Sequence, residues 1–173
     1  MIYLVGFRAT GKSTIGKLAA RELGVDFVDL DRLLCEEAGK TVEEIVAEEG
    51  WPGFRTREKN ILMRTTYMAG NIIATGGGAV LHQDIWPLLK RGSIVIWLDA
   101  EEEEIYKRLS RRVSDSGRPS LTDQNLRNEI KGVLNERLPL YEKVADVRIN
   151  TGGGSVVDIV QEVIGSISFS DDI

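Results

Sequence analysis

Apolar residues along the chain follow two alternating patterns. Short continuous runs such as Ile2-Tyr3-Leu4-Val5 are separated by longer stretches in which apolar positions recur every three or four residues, as in Ile15, Leu18, Ala19 and Leu23. A continuous short run suits a strand buried on both faces, and the helical spacing suits a segment that covers such a sheet. The alternation therefore predicts an α/β fold: three layers, with a five-stranded parallel sheet between helices. Strands are expected at Ile2–Val5, Phe27–Val28, Ile72–Thr75, Ile94–Leu98 and Val147–Ile149. Helices are expected at Lys12–Leu23, Asp31–Ala38, Val42–Glu49, Phe54–Met68, Ile85–Leu89, Glu101–Leu109, Asp123–Val144 and Val156–Ile167. The stretch Ser110–Ser120 has no apolar period and carries Gly117-Arg118-Pro119, so it reads as a long exposed loop able to act as a lid, and residues 168–173 read as a frayed tail. No repeat or linker divides the chain, which is expected to form one domain over residues 1–173.

Composition narrows the class. With 173 residues and 42% hydrophobic content the chain can bury a sizeable core. Its formal net charge of -5 argues against a protein that coats nucleic acid, because phosphate backbones are bound by clustered Lys and Arg. One local loop still suffices for a nucleotide. Cys35 is the single cysteine, so an intrachain disulfide is excluded and a reducing compartment is the simplest expectation; its expected role is a buried small hydrophobe. The opening apolar stretch is short for a signal peptide, and no run reaches transmembrane length. A cytoplasmic protein without a membrane partner is expected. The four glutamates Glu101–Glu104 open a predicted helix and complement its dipole as a solvated first turn.

The strongest chemical signal spans Gly6 to Ser13, which reads G-x-x-x-x-G-K-S between a predicted strand and a predicted helix. In such a phosphate loop successive backbone NH groups converge on an anion, the helix dipole points at it, Lys12 adds a point charge and the Ser13 hydroxyl is placed to bind Mg. Asp29 and Asp31 close the second predicted strand. At i and i+2 of a strand both carboxylates would enter one cavity, one serving Mg and the other a substrate hydroxyl; alternatively Asp31 caps the next helix and Asp29 is a surface residue. Gly76-Gly77-Gly78 follows the third strand, where missing side chains would let a ligand approach the backbone. An ordinary turn is the alternative, and Gly152-Gly153-Gly154 occupies an equivalent place after the last strand, so composition does not separate the two. Arg55 and Arg137 are candidates to grip an acidic substrate through guanidinium forks, and Arg118 is placed to reach transferring phosphate oxygens when the loop closes. Arg8 is read as exposed at the mouth of the phosphate loop. His82 has no partner pattern and is read as a surface residue, while Trp51, Trp86 and Trp97 are read as core or interface residues.

Taken together, the phosphate loop, "DLD", "FRTRE", "TGGGA", "GRP" and "ERLPLYEKVAD" resemble, in order and approximate spacing, the shikimate kinases over nearly the whole chain. That resemblance implies a nucleotide-kinase-like strand order and usually a monomer. It implies that Ala9, Thr10, Gly11, Lys12, Ser13 and Thr14 bind ATP phosphates, that Lys12 stabilises transferred charge and that Ser13 and Asp29 hold Mg, the latter through water. Asp31 would hold the hydroxyls of shikimate and assist proton removal, Arg55 and Arg137 would clamp its carboxylate, and Gly76, Gly77 and Gly78 would supply backbone contacts. Arg118 would be the lid residue, and Glu58, one turn beyond Arg55, would fix its rotamer. The sequence departs from the family pattern at Ala9, where glycine is usual, and at Ser120, where leucine usually follows Arg-Pro. The implied activity is transfer of the ATP γ-phosphoryl group to the 3-hydroxyl of shikimate. The rivals are a kinase for another hydroxy acid such as gluconate, a weakly active nucleotide-binding homologue, and a nucleotide switch, for which an N-K-x-D segment is lacking.

Overall fold

The computed structural model describes residues 1–112 and 125–168. Five strands, β1 (Ile2–Val5), β2 (Asp26–Asp29), β3 (Asn71–Ala74), β4 (Ile94–Asp99) and β5 (Val147–Asn150), form one sheet in the order β2-β3-β1-β4-β5. Every pairing is parallel, so successive strands are joined by crossovers. The helices among the described residues are α1 (Lys12–Leu23), α2 (Leu30–Ala38), α3 (Val42–Arg64), α4 (Trp86–Leu89), α5 (Glu102–Arg112), α6 (Leu126–Val144) and α7 (Val156–Ser168). None is long and apolar enough to cross a membrane.

The two-residue period of a strand sorts the core into two layers. Tyr3 and Val5 of β1 join Ile73, Val95 and Trp97 beneath α2, α3 and α6, where Leu34, Leu62 and Tyr141 close the layer. Leu4, between them in sequence, joins Ile72, Ile96 and Leu98 on the opposite face with Ile15 and Ala19 of α1 and Val163 of α7. Both faces are thus covered, which is why the strands read as unbroken apolar runs. A third cluster, built on Phe7, Ile105 and Ile130, packs α5 against α6.

Local chemistry sets the helix limits. The α1 helix stops at Gly24 (φ 67°), whose left-handed conformation lets its NH bond back to the Ala20 carbonyl. A capping box of Thr41 and Glu44 opens α3. The two helices expected at Val42–Glu49 and Phe54–Met68 are limbs of α3, broken at Gly50 (φ 68°, ψ 175°), after which Pro52 occupies the first turn of the second limb, where no NH is required of it. Beyond Arg64 the chain tightens into a 3-10 turn at Thr65–Tyr67. Ser110, Arg111 and Arg112, expected in the loop, belong to α5; the rest of that stretch lies outside the described residues. The α6 helix begins at Leu126 with Asn125 accepting from the Asn128 NH at 3.0 Å.

Candidate active site

The phosphate loop joins the C-terminal end of β1 to α1. A side chain at Gly6 would strike the Leu98 carbonyl, so only glycine lets the loop leave β1 here. Gly11 (φ 96°) caps α1 without a side-chain hydrogen bond, which leaves the first-turn NH groups for an anion. Lys12 is buried and folds its Nζ back onto the Gly6 and Phe7 carbonyls at 2.8 and 2.7 Å. Thr10 is fully buried, its hydroxyl donating to the Phe7 carbonyl at 2.8 Å, whereas Ser13 and Thr14 are exposed. Ala9 has φ 64°, the one left-handed conformation at a non-glycine residue among the described residues. The family's usual glycine would adopt it without a Cβ penalty.

Asp29 and Asp31 reach the site by a different route from the one their spacing suggests. The strand ends at Asp29 and α2 starts at Leu30, so the two residues are not strand neighbours on one face. Asp29, not Asp31, is the helix cap: its Oδ1 accepts from the NH groups of Asp31 and Arg32 at 3.1 and 3.2 Å. Its other oxygen, Oδ2, accepts from the Ser13 hydroxyl at 2.5 Å, which joins the phosphate loop to the end of β2. Asp31 lies in the first turn of α2 and lines a cleft shared with Arg55, Glu58, Gly77 and Arg137.

The wall of that cleft opposite the phosphate loop is the second limb of α3. Arg55 donates from Nη1 to Glu58 Oε2 at 2.6 Å, and its guanidinium carbon lies 5.3 Å from the Trp51 ring and 5.2 Å from the Phe54 ring. Trp51 is therefore a cleft wall, whereas Trp86 and Trp97 are core. From α6, Arg137 donates to the Gly77 carbonyl at 3.1 Å, and Tyr141, one turn on, donates to the same oxygen at 2.7 Å. Burial pushes the Tyr141 hydroxyl far above the usual phenol range, so it is a neutral donor. Burial, aided by the neighbouring Arg55 charge, lowers the proton affinity of Arg137 against the pull of Tyr141, Glu136 and Glu58. The Arg137 Nε is buried with no hydrogen-bond partner among the described residues. Two guanidinium groups thus share one poorly solvated cleft, an arrangement that favours an anion between them.

His82 and Arg8 differ from their sequence readings. His82 is buried, with Nε2 3.1 Å from Glu58 Oε2. Arg8 pairs with the buried Glu129 of α6 and lines the cleft instead of projecting from the loop mouth. Cys35 is half-buried. Sequence reasoning missed three contributors. Trp51 and Tyr141 each lie four residues from an arginine on the same helix, and that spacing was the available signal. Arg108, four residues after its partner Glu104, donates to the Ala9 carbonyl at 3.2 Å and to the Thr151 carbonyl at 2.5 Å, tying the phosphate loop to the end of β5. Arg118 and Ser120 lie outside the described residues.

An anion-binding helix terminus that opens beside a cleft bearing both carboxylates and guanidinium groups is the arrangement of an ATP-dependent phosphotransferase for a small molecule. The sequence pattern of shikimate kinase matches residues 8–168. The chain is 42% identical to a shikimate kinase of Symbiobacterium thermophilum, over 94% of this chain and 93% of that one, and 39% identical to a shikimate kinase of Rhodopirellula baltica, over 94% and 88%. Its fold superimposes with a TM-score of 0.88 on the shikimate kinase of Acinetobacter baumannii solved in complex with shikimate, at 36% identity over 98% of this chain and 93% of that one. The chain belongs to the shikimate kinase family.

Proposed function

We propose that the protein transfers the γ-phosphoryl group of ATP to the 3-hydroxyl of shikimate, giving shikimate 3-phosphate and ADP, with the whole chain acting as one domain. The observation that carries this reading is the convergence of Arg55 and Arg137 with Asp31 on one cleft beside the phosphate loop. The ATP phosphates lie on the NH groups that open α1, held by the loop from Ala9 to Thr14, and Lys12 exchanges its contacts with the Gly6 and Phe7 carbonyls for phosphoryl oxygens. Arg55 and Arg137 grip the shikimate carboxylate. That contact fixes the far end of the ring and turns its hydroxyls toward Asp31, which orients the attacking oxygen and receives its proton as the new O–P bond forms and the bond to ADP breaks. Little covalent chemistry is asked of the protein; positioning and charge neutralisation supply the rate.

No group of three or more metal-ligating His, Cys, Asp or Glu residues occurs among the described residues. Ser13 Oγ and Asp29 Oδ2, in contact at 2.5 Å, would be the protein's oxygens beside a Mg ion carried by the nucleotide. Such an ion, when bound, offsets phosphate charge. We further propose a monomer acting in the cytoplasm; the single cysteine suits a reducing compartment. A coupled ADP-release assay with MgATP tests the activity. Turnover is expected with shikimate and collapses with a ring analogue lacking the carboxylate; equal turnover with the analogue, or preference for gluconate, contradicts the proposal.

A further inference from the structure

One oxygen of Glu58 serves two partners. Oε2 accepts from Arg55 Nη1 at 2.6 Å and lies 3.1 Å from His82 Nε2, while Oε1 is buried without a hydrogen-bond partner among the described residues. An ionised carboxylate only accepts, so His82 presents Nε2–H to it in either charge state. Burial works to raise the Glu58 carboxyl, but the hydrogen bond from His82 and the charge and hydrogen bond of Arg55 overcome it and hold the group below the usual carboxylate range. Glu58 and Arg55 line the cleft, whereas His82 stands behind them, outside the lining. His82 is thus buried, ionisable and one hydrogen bond removed from the group that faces substrate.

Charged groups from several elements flank the imidazole. From α3 come Glu58 and Arg55, with Lys59 beside them and engaged with Asp84 at 2.5 Å. From its own turn comes Asp84, whose carboxyl is lowered chiefly by Lys59 and slightly by His82. From α6, Arg137 and Tyr141 reach the Gly77 carbonyl. The His82 Nε2–H donor holds the same Glu58 oxygen that Arg55 uses, so it fixes where that carboxylate, and with it the Arg55 guanidinium, lies.

We infer that His82 is a positioning residue for the acidic substrate: through Glu58 it sets the orientation of the Arg55 guanidinium. The inference rests on the reading that Arg55 holds the shikimate carboxylate. It goes beyond that reading by naming the buried donor behind the cleft that holds the clamp in place.

Titration calorimetry with shikimate, and separately with MgADP, on wild type, His82→Gln and His82→Leu tests it. His82→Gln keeps an NH donor and should bind shikimate within about threefold of wild type. His82→Leu removes the donor and should bind shikimate about tenfold more weakly, with MgADP unchanged. Wild-type shikimate affinity in a folded His82→Leu overturns the inference, and so does a loss in His82→Gln equal to that in His82→Leu. Absence of shikimate binding to wild type overturns the proposed function itself, and the inference with it.

Discussion

The two glycine triplets look alike in sequence and differ completely in what surrounds them. At Gly78 a Cβ would fall onto the Arg55 guanidinium, with Nη2 at 2.6 Å, and at Gly76 it would fall onto Glu58 Oε1 and lie 2.7 Å from Asp31 Oδ1. At Gly77 it would meet the Arg8 backbone nitrogen at 3.3 Å. The first triplet is therefore the floor on which long charged side chains from α2 and α3 lie down. Gly153 has nothing within 4 Å of its Cβ position, and Gly152 has only Asn150 Oδ1, at 3.1 Å. What the second region contributes comes from its neighbour Thr151, held by Arg108, and not from its glycines. A run of small residues marks a site only where something large needs the space.

Substitutions in the two triplets should separate them sharply. Gly78→Ala has the largest expected effect: displacing Arg55 from its partner should weaken shikimate binding by about 10- to 150-fold, the worth of a charged hydrogen bond, with nucleotide affinity within about threefold, read by calorimetry. Gly76→Ala pushes apart two carboxylates beneath the cleft and should lower stability by about 1–3 kcal/mol in denaturant titration, together with turnover. Glu58 links the first triplet to pH. Its folded-state pKa is depressed, so its contribution to stability is present above the unfolded carboxylate range and is lost as pH falls through the folded value. Acid titration of Glu58→Gln should show a flatter acid limb, and a limb unchanged from wild type would contradict that assignment. The smallest effect belongs to Gly153→Ala, expected to leave both affinities unchanged and to raise stability by about 0.4–1 kcal/mol, because alanine restricts the unfolded chain in a space that accepts it. A loss of nucleotide affinity there would give the second triplet a direct role.

Much of the fold was legible because local pattern and global architecture agree. β1 and α1 appear end to end as read, since apolar period, loop glycines and the Gly24 stop all point the same way. The site was legible as a set of residue types and less so as geometry. The start of α2 is legible to within one residue, but the shared strand face expected of Asp29 and Asp31 is not borne out, because the strand ends at Asp29 and its side chain caps the helix. His82 looked solitary because its partner lies 24 residues earlier, on a helix whose approach no local pattern encodes. The two triplets could not be told apart for the same reason: what distinguishes them is the reach of Arg55, Glu58 and Asp31 from other elements.

The central claim is that the guanidinium groups of the cleft, and not the phosphate loop, select the acidic acceptor. Calorimetric titration of shikimate and of MgADP into wild type and Arg55→Ala tests it most directly. The account predicts a loss of shikimate affinity of at least about tenfold in the variant, with MgADP binding preserved. Equal shikimate affinity in the two proteins would contradict it.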